Sequence, residues 1–362
     1  MRIGFVLTNL AGGGAEKSVL NLAAALAAQR HRVDIVLLER IVTHALPGGL
    51  AIHALTEKGS AIRKGWLGRR LAAWKLARLI ARLGSGGPFD LIVSTLPFAD
   101  EVAILADMPR HWCRIANTLS AEVARLAAQN RAKAARRMAR YRRMYDGRAL
   151  IAVSQGVAED LRNGMELTRS RIEVIPNPFD FAALRALAAE SAELPPRPYV
   201  IHVGRFSGQK RHDVLLDAFA KLRTPQRLVL LAAPERALSA MIEARGLAAR
   251  VLVAGFRQNP YPWMAAAELL VLSSDHEGLP NVLIEALALG VPVVSTDCPS
   301  GPREILGAVL PDCLVPVGDA DKLAITIARV LARRPDVSRV DLSRYAMARV
   351  VASYERLAAE RN

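Results

Sequence analysis

The sequence predicts an α/β fold of two domains, each built on a parallel sheet, and three observations support this class. Short apolar segments alternate with longer helical patterns along nearly the whole chain, which is typical of repeated βαβ units. The 362 residues suffice for two domains of ordinary size. Two proline-containing segments near the middle, residues 175–178 and 193–198, interrupt the alternation.

The alternation places five strands in each half of the chain. In the first half we predict strands at residues 2–8, 32–38, 91–94, 114–116 and 150–153; in the second half at residues 199–203, 227–232, 250–254, 269–272 and 293–295. We set the domains at residues 1–175 and 176–340. A last helix is expected at about 341–360, and the segment 341–362 is a candidate to pack back on the first domain.

The charge, the cysteines and the lengths of the apolar runs indicate which partners and which cellular compartment to expect. The net charge is +15, and residues 1–180 carry +12 of it, so the first half is expected to face an anionic partner. The three cysteines, Cys113, Cys298 and Cys313, are scattered, which favours a reduced cytoplasmic protein. We expect no secretory signal, because the N-terminus lacks a separate basic region, apolar core and cleavage site. We expect no membrane-spanning helix, because no apolar run approaches about 20 residues.

A glycine-rich loop follows the first strand. Gly12, Gly13 and Gly14 precede a helix expected from about Ser18, and such a loop lets a backbone approach a phosphate. Lys17 stands where a dinucleotide fingerprint needs its third glycine, while Glu39 ends the second strand where a ribose-binding acid belongs in a dehydrogenase. Proximity to a phosphate or acceptor and a simple tight turn both remain open for this loop.

Two cations follow the first strand of the second domain. Arg205 comes directly after Gly204, and Lys210 lies five residues later, near the start of the next helix. Arginine binds phosphate as a fork and lysine as a compact charge. Their position at the carboxyl end of a parallel strand favours a diphosphate site over two solvated surface charges.

The segment 273–287 carries two glutamates at a strand-to-helix corner. Glu277 follows the strand 269–272, and Glu285 lies on the helix that begins at Pro280 and Asn281. A carboxylate early on that helix can accept hydrogen bonds from a ribose diol, with Glu277 nearer the transferred sugar. The alternative is that both glutamates simply face solvent. The presence of Arg205 and Lys210 in the same half of the chain favours a functional site over this alternative.

These motifs resemble a known family. Glu277 and Glu285 match the EX7E pattern of family 4 retaining glycosyltransferases, which adopt the GT-B fold of two facing Rossmann-like domains with an interdomain cleft. The resemblance continues through most of the chain. It includes the glycine loop at residues 12–18, the Val203-Gly204-Arg205 segment with Lys210, the hinge-like residues 175–178, and residues 295–305.

The resemblance implies a role for each matched residue. Arg205 and Lys210 would bind the donor diphosphate, Glu285 the nucleotide ribose and Glu277 the donor sugar. The segment Gly278, Leu279, Pro280 and Asn281 would support sugar and phosphate through its backbone, and Gly13 and Gly14 belong to the same donor site. The base would lie near Phe256 and Arg257. A UDP-sugar donor is favoured by family frequency, with no cofactor and no metal.

Two further positions bear on this interpretation. Many relatives carry a sugar-contacting histidine before an Asn-Thr-Leu-Ser-like run, but Ala116 stands there in this chain, with His111 nearby. Asp319 and Asp321 form a DxD-like pair that precedes the helix 322–332. We interpret that pair as a helix cap and a first-turn acid rather than a metal site.

A basic segment follows the second strand. Residues 61–89 contain no acid, and a helix over 71–83 would place apolar residues on one face and cations on the other. The cations and aromatic residues here are Arg63, Lys64, Trp66, Arg69, Arg70, Trp74, Lys75, Arg78 and Arg82. A solvated helix and an anionic membrane surface are equally consistent with this pattern. The resemblance favours the membrane, through Arg69, Arg70, Trp74, Arg78 and Arg82.

We therefore predict a retaining glycosyltransferase that moves a sugar from a nucleotide diphosphate to a glycan or lipid-linked acceptor, in cell-surface polysaccharide or glycoconjugate synthesis. It would lie in the cytoplasm, peripherally on the inner face of the cytoplasmic membrane. Three alternatives remain: an NAD-type dinucleotide-binding oxidoreductase, a non-enzymatic nucleic-acid-binding protein suggested by the basic first half, and a GT-B protein that has lost activity. No nucleic-acid recognition motif is visible, so we expect no nucleic-acid partner.

Overall fold

The computed structural model describes residues 1–11, 13–43, 48–57, 60–62 and 65–360. The chain forms two compact units. Unit 1 comprises Met1–Phe179 and Arg344–Asn362, and unit 2 comprises Asp180–Ser343. The predicted domain boundary at residues 175/176 lies four residues before this division.

Unit 1 is built on a seven-stranded parallel sheet in the order β3-β2-β1-β4-β5-β6-β7. Its strands are β1 (Arg2–Leu7), β2 (Arg32–Leu37), β3 (Ala51–Ala54), β4 (Leu91–Thr95), β5 (His111–Ile115), β6 (Ala149–Ala152) and β7 (Arg171–Val174). Its helices are α1 (Gly14–Ala28), α2 (Trp66–Gly84), α3 (Pro97–Leu105), α4 (Leu119–Gln129), α5 (Arg131–Tyr145), α6 (Gln155–Glu159) and, after unit 2, α14 (Met347–Ala359).

Two apolar clusters cover the faces of this sheet. One cluster combines alternate residues of β1 and β2 with helix α1 and the C-terminal helix α14, while the other places α2 and α3 on the opposite face. Helix α14 contributes Val350, Val351, Tyr354 and Leu357, all buried. Their spacing of one, three and three residues keeps them on one helical face, so the last helix belongs to the core of unit 1.

Unit 2 has a six-stranded parallel sheet in the order β10-β9-β8-β11-β12-β13. Its strands are β8 (Tyr199–Val203), β9 (Arg227–Leu231), β10 (Val251–Val253), β11 (Leu269–Leu272), β12 (Val293–Thr296) and β13 (Leu314–Val315). Its helices are α7 (Phe181–Ala188), α8 (His212–Lys221), α9 (Arg236–Glu243), α10 (Tyr261–Ala265), α11 (Asn281–Ala288), α12 (Pro302–Leu306) and α13 (Ala320–Ala332). Because β8 and β11 are neighbours, the loops that follow them leave the same edge of the sheet.

All ten predicted strands are found, nine of them within two residues of the expected bounds. The strand predicted at 114–116 is β5, which begins three residues earlier at His111; its buried Arg114 and half-buried His111 obscure the apolar pattern. Strands β3, β7 and β13 were not predicted. The first two lie at the sheet edges and are partly exposed, and β13 has two residues. Helix α1 begins at Gly14, four residues before the expected Ser18.

The cysteines and the longer helices complete this description. Cys113, Cys298 and Cys313 are buried and form no disulfide. Within the described ranges, no helix combines the length and the apolar character that crossing a membrane requires.

Candidate active site

The loops after β8 and β11 contact each other at the carboxyl edge of the unit 2 sheet. Hydrogen bonds to backbone groups join them: Asp275 N donates to Gln209 O (2.8 Å), the Ser273 hydroxyl to Lys210 O (2.8 Å), and Gln209 Nε2 to His276 O (2.7 Å). These bonds use backbone groups of both loops, so the position of Lys210 is set relative to the 273–280 loop.

Lys210 and Glu277 form the ion pair at the centre of this junction. Lys210 Nζ lies 2.6 Å from Glu277 Oε1, and the Ser274 hydroxyl donates to the same oxygen at 2.6 Å. The side chain of Glu277 is 9% exposed and that of Lys210 is 19% exposed. A largely desolvated carboxylate requires such donors, and the remaining exposure leaves the ammonium accessible from solvent.

Arg211, which directly precedes α8, also joins the two loops. Its guanidinium contacts Asp213 and Asp275, each at 2.8 Å, and the hydrogen bonds that it donates to these carboxylates raise the pKa of Arg211 above its usual value. Its backbone is left-handed, with φ of 46°, a conformation that costs energy in a non-glycine residue. Arg211 therefore fixes the turn that follows Lys210. The role of Arg211 was not predicted from the sequence, because neither spacing nor composition indicates such a contact.

Two buried histidines lie beneath Lys210. The His202 and His212 rings are 4.7 Å apart between centroids in an edge-on arrangement, and a side chain at Gly204 would touch both Lys210 Cε and His202 Nε2. Burial lowers the pKa of His212 to about 4 and that of His202 well below its usual value. Both imidazoles are therefore uncharged at neutral pH, and Lys210 carries the positive charge at this point.

The segment that follows β12 packs against the 273–280 loop and forms a hydrogen bond with it. Glu277 N donates to Pro299 O at 3.2 Å. Gly301 has φ of 98°, and a Cβ there would lie 2.3 Å from Pro280 Cδ. Glycine is required at 301 for both reasons, which gives a structural role to part of the 295–305 segment. Gly278, Leu279 and Pro280 are buried, and Asn281 begins α11.

Glu285 lies in the second turn of α11, half-buried. The Tyr261 hydroxyl donates to Glu285 Oε1 at 3.0 Å. Phe256 and Arg257, which follow β10, are exposed, and the Arg257 guanidinium lies 4.6 Å from the centroid of the Trp263 ring. Tyr261 was not identified from the sequence, because a tyrosine 24 residues before a glutamate carries no local pattern.

Arg205 is placed differently from Lys210. Its side chain is exposed, and in the part of the chain that the structure describes it makes no ion pair or hydrogen bond. The structure thus brings Lys210 and Glu277 together, whereas Arg205 remains available to a ligand.

The glycine loop of unit 1 is described except for Gly12, which lies outside the described residues. Gly13 is the N-cap of α1, and a Cβ there would lie 2.3 Å from Glu16 Oε2. Glu39 is 5% exposed and accepts hydrogen bonds from Asn9 Nδ2 (3.1 Å) and Ile62 N (3.0 Å). Its carboxylate holds neighbouring loops together, which is a structural role and differs from that of a ribose-binding acid.

Four further positions singled out from the sequence have defined surroundings. Ala116 directly follows β5 and is half-buried. His111 Nε2 lies 2.8 Å from the Ser94 hydroxyl, and burial lowers the pKa of His111 to about 4. The Asp319 carboxylate accepts from Lys322 N at 2.8 Å as the N-cap of α13, so the predicted helix cap is confirmed. Asp321 is paired with Lys221 at 2.5 Å.

Two family profiles match successive parts of the chain. Residues 12–183 match "Glycosyltransferase Family 4" and residues 197–333 match "Glycosyl transferases group 1". The two matches do not overlap and together span more than four fifths of the chain. The chain belongs to the family 4 glycosyltransferases.

Curated relatives of this family 4 glycosyltransferase match it over shorter segments. The chain is 36% identical over 160 residues to the N-acetylgalactosamine-N,N'-diacetylbacillosaminyl-diphospho-undecaprenol 4-alpha-N-acetylgalactosaminyltransferase of Campylobacter jejuni, which covers 44% of each chain. It is 31% identical over 164 residues to the lipopolysaccharide 1,6-galactosyltransferase of Escherichia coli, covering 43% of this chain and 45% of that relative. Each match thus spans less than half the length of the relative.

Solved structures extend the likeness to nearly the whole glycosyltransferase. The sucrose-phosphate synthase of Thermosynechococcus elongatus superposes with a TM-score of 0.73 at 20% identity, covering 99% of this chain and 96% of that one. HepE of Anabaena in complex with UDP and glucose gives a TM-score of 0.71 at 18% identity, with 98% of each chain covered. These similarities show the fold, and the predicted GT-B class is confirmed. These matches favour a glycosyltransferase over the oxidoreductase and the nucleic-acid-binding alternatives.

Proposed function

We propose that this chain is a retaining glycosyltransferase that moves a sugar from a nucleotide diphosphate donor to a glycan or lipid-linked acceptor. The observation that carries the proposal is the Lys210–Glu277 pair at 2.6 Å, at the sheet edge where parallel α/β sheets bind ligands. Glu285, on the helix that follows, supplies the acid for the ribose diol. A UDP-sugar is the favoured donor, in line with the UDP-bound structures of the similar HepE.

The charges of the site suit a departing diphosphate. Lys210 is held by Glu277 before any donor arrives, and the exposed Arg205 has no competing carboxylate among the described residues. A cation already in position can stabilise negative charge as the sugar–phosphate bond breaks without the cost of reorganisation. We assign Arg205 and Lys210 to the diphosphate, and the backbone of Gly278–Asn281 to sugar and phosphate.

Glu277 is proposed to contact the donor sugar without forming a covalent bond to it. Its Oε1 accepts hydrogen bonds from both Lys210 and Ser274, which withdraw electron density from a would-be nucleophile. The leaving phosphate would instead accept the proton of the acceptor hydroxyl, with attack from the face that the phosphate leaves. This route retains anomeric configuration and gives Glu277 and Glu285 different roles from the acid and nucleophile of a glycosidase.

The remaining assignments concern the base, the glycine loop and metals. Phe256 and Arg257 are proposed to lie near the nucleotide base, and Gly13 and Gly14 near donor or acceptor phosphate. We propose that transfer needs no metal. The acids of the DxD-like pair are engaged elsewhere, Asp319 as a helix cap and Asp321 with Lys221.

The acceptor is proposed to be presented at a membrane. Two curated relatives are named for a diphospho-undecaprenol acceptor and for lipopolysaccharide. Helix α2 exposes Trp66, Leu67, Leu71 and Trp74 beside its cations, an arrangement typical of helices that lie in a membrane interface. We propose peripheral attachment to the cytoplasmic face of the cytoplasmic membrane.

One cation of the predicted membrane contact has a partner within unit 1. Arg69 is paired with Glu101 at 2.9 Å, and Arg140 of α5 binds the same carboxylate. Arg70, Lys75, Arg78 and Arg82 are exposed and form the membrane-facing set that we propose. Arg63 and Lys64 lie outside the described residues.

Replacement of the central ion pair tests the catalytic assignment. Lys210→Ala and Glu277→Ala should each lower kcat by about 10²-fold or more, because each removes a preorganised group at the reacting centre. Turnover is measured by mass spectrometry over a panel of nucleotide sugars, with product anomer by NMR and with EDTA added in parallel. The control is Lys221→Ala, which removes a surface ion pair of the same unit.

Several outcomes would contradict parts of this proposal. Wild-type turnover in either variant would refute the site, an inverted product would refute retention, and loss of activity with EDTA would refute metal independence. If the wild-type protein turned over no nucleotide sugar, the result would favour the alternative that this is a GT-B protein that has lost its activity, which Ala116 suggests.

A further inference from the structure

Tyr261 and Glu285 form a buried contact that the motifs do not contain. Tyr261 is 6% exposed and donates its hydroxyl hydrogen to Glu285 Oε1 at 3.0 Å. Burial and the neighbouring Glu285 charge raise the pKa of Tyr261 well above its usual value, so the phenol keeps its proton at neutral pH. The contact therefore joins a neutral donor to a carboxylate, which is a stronger hydrogen bond than one between neutral groups.

The tyrosine is fixed by contacts to two other elements of unit 2. Asn259 Oδ1 accepts from Tyr261 N at 3.1 Å, and Asn259 Nδ2 donates to Leu187 O and to Glu190 Oε2, each at 2.8 Å. On the other side of α10, the Tyr199 hydroxyl of β8 donates to Trp263 O at 2.6 Å. Helix α10 is thus held at its first residue, Tyr261, and at its central residue, Trp263, and its tyrosine is a rigid donor.

Glu285 carries a flexible side chain, and its contact with Tyr261 restricts the orientation of the carboxylate. It is half-buried on α11, and a glutamate has three side-chain torsions to order when a ligand binds. Ordering a flexible side chain at the moment of binding weakens affinity, whereas a side chain that is already oriented avoids this loss. A donor of fixed position on one carboxylate oxygen provides that orientation.

We propose that Tyr261 is a positioning residue that orients Glu285 for the ribose diol of a nucleoside diphosphate. This inference rests on the proposed function, since it takes Glu285 as the ribose ligand. Tyr261 itself acts through Glu285 and touches neither the sugar nor the diphosphate. Tyr261 thereby increases the preference of the site for a nucleoside diphosphate with an intact ribose diol over one whose ribose lacks these hydroxyls.

The test compares ligands that differ only at the ribose. Tyr261→Phe removes one hydroxyl, and calorimetry measures Kd for UDP, GDP and ADP and for the 2′,3′-dideoxy analogue of whichever the wild-type protein binds. We expect Tyr261→Phe to weaken the nucleoside diphosphate about tenfold and to leave the dideoxy analogue unchanged. In a Glu285→Ala background, Tyr261→Phe should cause no further loss.

Tyr141→Phe is the matched control, because it also removes a buried tyrosine hydroxyl that donates to a glutamate carboxylate, here Glu122 of unit 1 at 3.2 Å, and it should leave the ratio of the two Kd values unchanged. Equal weakening of both ligands by Tyr261→Phe, or no weakening of either, would overturn the positioning role while leaving the proposed function intact. A wild-type protein that bound none of the three nucleoside diphosphates would overturn the proposed function together with this inference.

Discussion

At the scale of single residues, unit 1 contains a buried carboxyl group, that of Asp100, which is not part of the proposed donor site. Asp100 of α3 is fully buried and accepts hydrogen bonds from the Ser94 hydroxyl at 2.5 Å and the Tyr145 hydroxyl at 2.7 Å. Burial raises the pKa of Asp100 from 3.8 to about 7, although these hydrogen bonds and Arg114 oppose the shift. A buried carboxyl that is protonated near neutrality makes folding depend on pH.

The sign of this dependence follows from the direction of the shift. Between about pH 4 and 7 the folded protein binds a proton at Asp100 that the unfolded chain has released, so the contribution of Asp100 to stability falls as pH rises through this window. His111, whose pKa is lowered to about 4, contributes the opposite slope between about pH 4 and 6.5. The buried His202 and His212, whose pKa values are also lowered, contribute in the same direction as His111, so urea unfolding of the wild type alone would show a mixture of these contributions.

Asp100→Asn separates the contribution of Asp100 from those of the buried histidines. The free energy of unfolding of the wild type minus that of Asp100→Asn should fall by a few kcal/mol, at most about 4 kcal/mol, from about pH 4.5 to about pH 8 and stay constant above it. The control is Asp336→Asn. A hydrogen bond from Ser338 lowers the pKa of Asp336, so that difference should be flat over the same range. A flat difference for Asp100→Asn would show that its carboxyl is ionised throughout.

At the scale of elements, α2 has a buried and an exposed face of different composition. Ala72, Ala73, Leu76, Leu79 and Ile80 pack on the sheet, whereas Trp66 is 65% exposed and Leu67 is 72% exposed. Two aromatic rings are covered by cations, with the Arg70 guanidinium 5.0 Å from the Trp66 ring centroid and the Arg78 guanidinium 4.7 Å from that of Trp74. Exposed large apolar side chains among cations are typical of helices that lie in a membrane interface, which is the contact that we propose for α2.

Charge reversal on α2 tests this contact. Replacing Arg70, Lys75, Arg78 and Arg82 by glutamate should weaken binding to vesicles containing anionic lipid by about 10²-fold or more, since each cation near such a surface contributes about 1 kcal/mol. Binding is measured by sedimentation with vesicles. The charge-matched control reverses four exposed arginines of unit 2, Arg185, Arg223, Arg236 and Arg333, and should bind as the wild type does. Unchanged sedimentation of the α2 variant would remove the membrane proposal.

At the scale of the whole molecule, the chain begins unit 1, forms unit 2 and then returns to unit 1. The return is fixed by backbone hydrogen bonds from Phe179 N to Tyr345 O (2.8 Å) and from Met347 N to Phe179 O (2.9 Å). Arg114, which is buried, bonds to Thr95 at 3.1 Å and to Asn177. The segments that leave and re-enter unit 1 are thereby tied to its sheet and to each other.

Removal of the returning segment should unfold unit 1. The buried side chains of Val350, Val351, Tyr354 and Leu357 together contribute about 6–12 kcal/mol at 1.5–3 kcal/mol each, which is comparable to the whole stability of a domain. Truncation after Ser343 should therefore abolish amide protection in β1 and β2, as measured by hydrogen exchange. Truncation after Glu360 is the control. Retained protection of β1 and β2 in the shorter chain would contradict this role for α14.

Most of the fold was predictable from local pattern, because strand and helix periodicity is a property of neighbouring residues. The ten predicted strands, the helix start at Asn281, the Asp319 cap and the left-handed Gly290 after α11 all follow from short-range rules. The same rules failed where edge strands are short, as at β13, and at β5, whose His111 and Arg114 interrupt the apolar pattern.

The sequence by itself determined the residues to which we propose to assign the chemistry of this protein: the two glutamates eight residues apart, the lysine after β8 and the basic face of α2. Only the tertiary structure decided which of them meet. Lys210 is 67 residues from Glu277 and contacts it because β8 and β11 are neighbours in the sheet. Tyr261 reaches Glu285, and Arg69 reaches Glu101, through packing that no local spacing encodes. Side-chain periodicity is set within one element, whereas such contacts depend on strand order and on the path of the chain between elements.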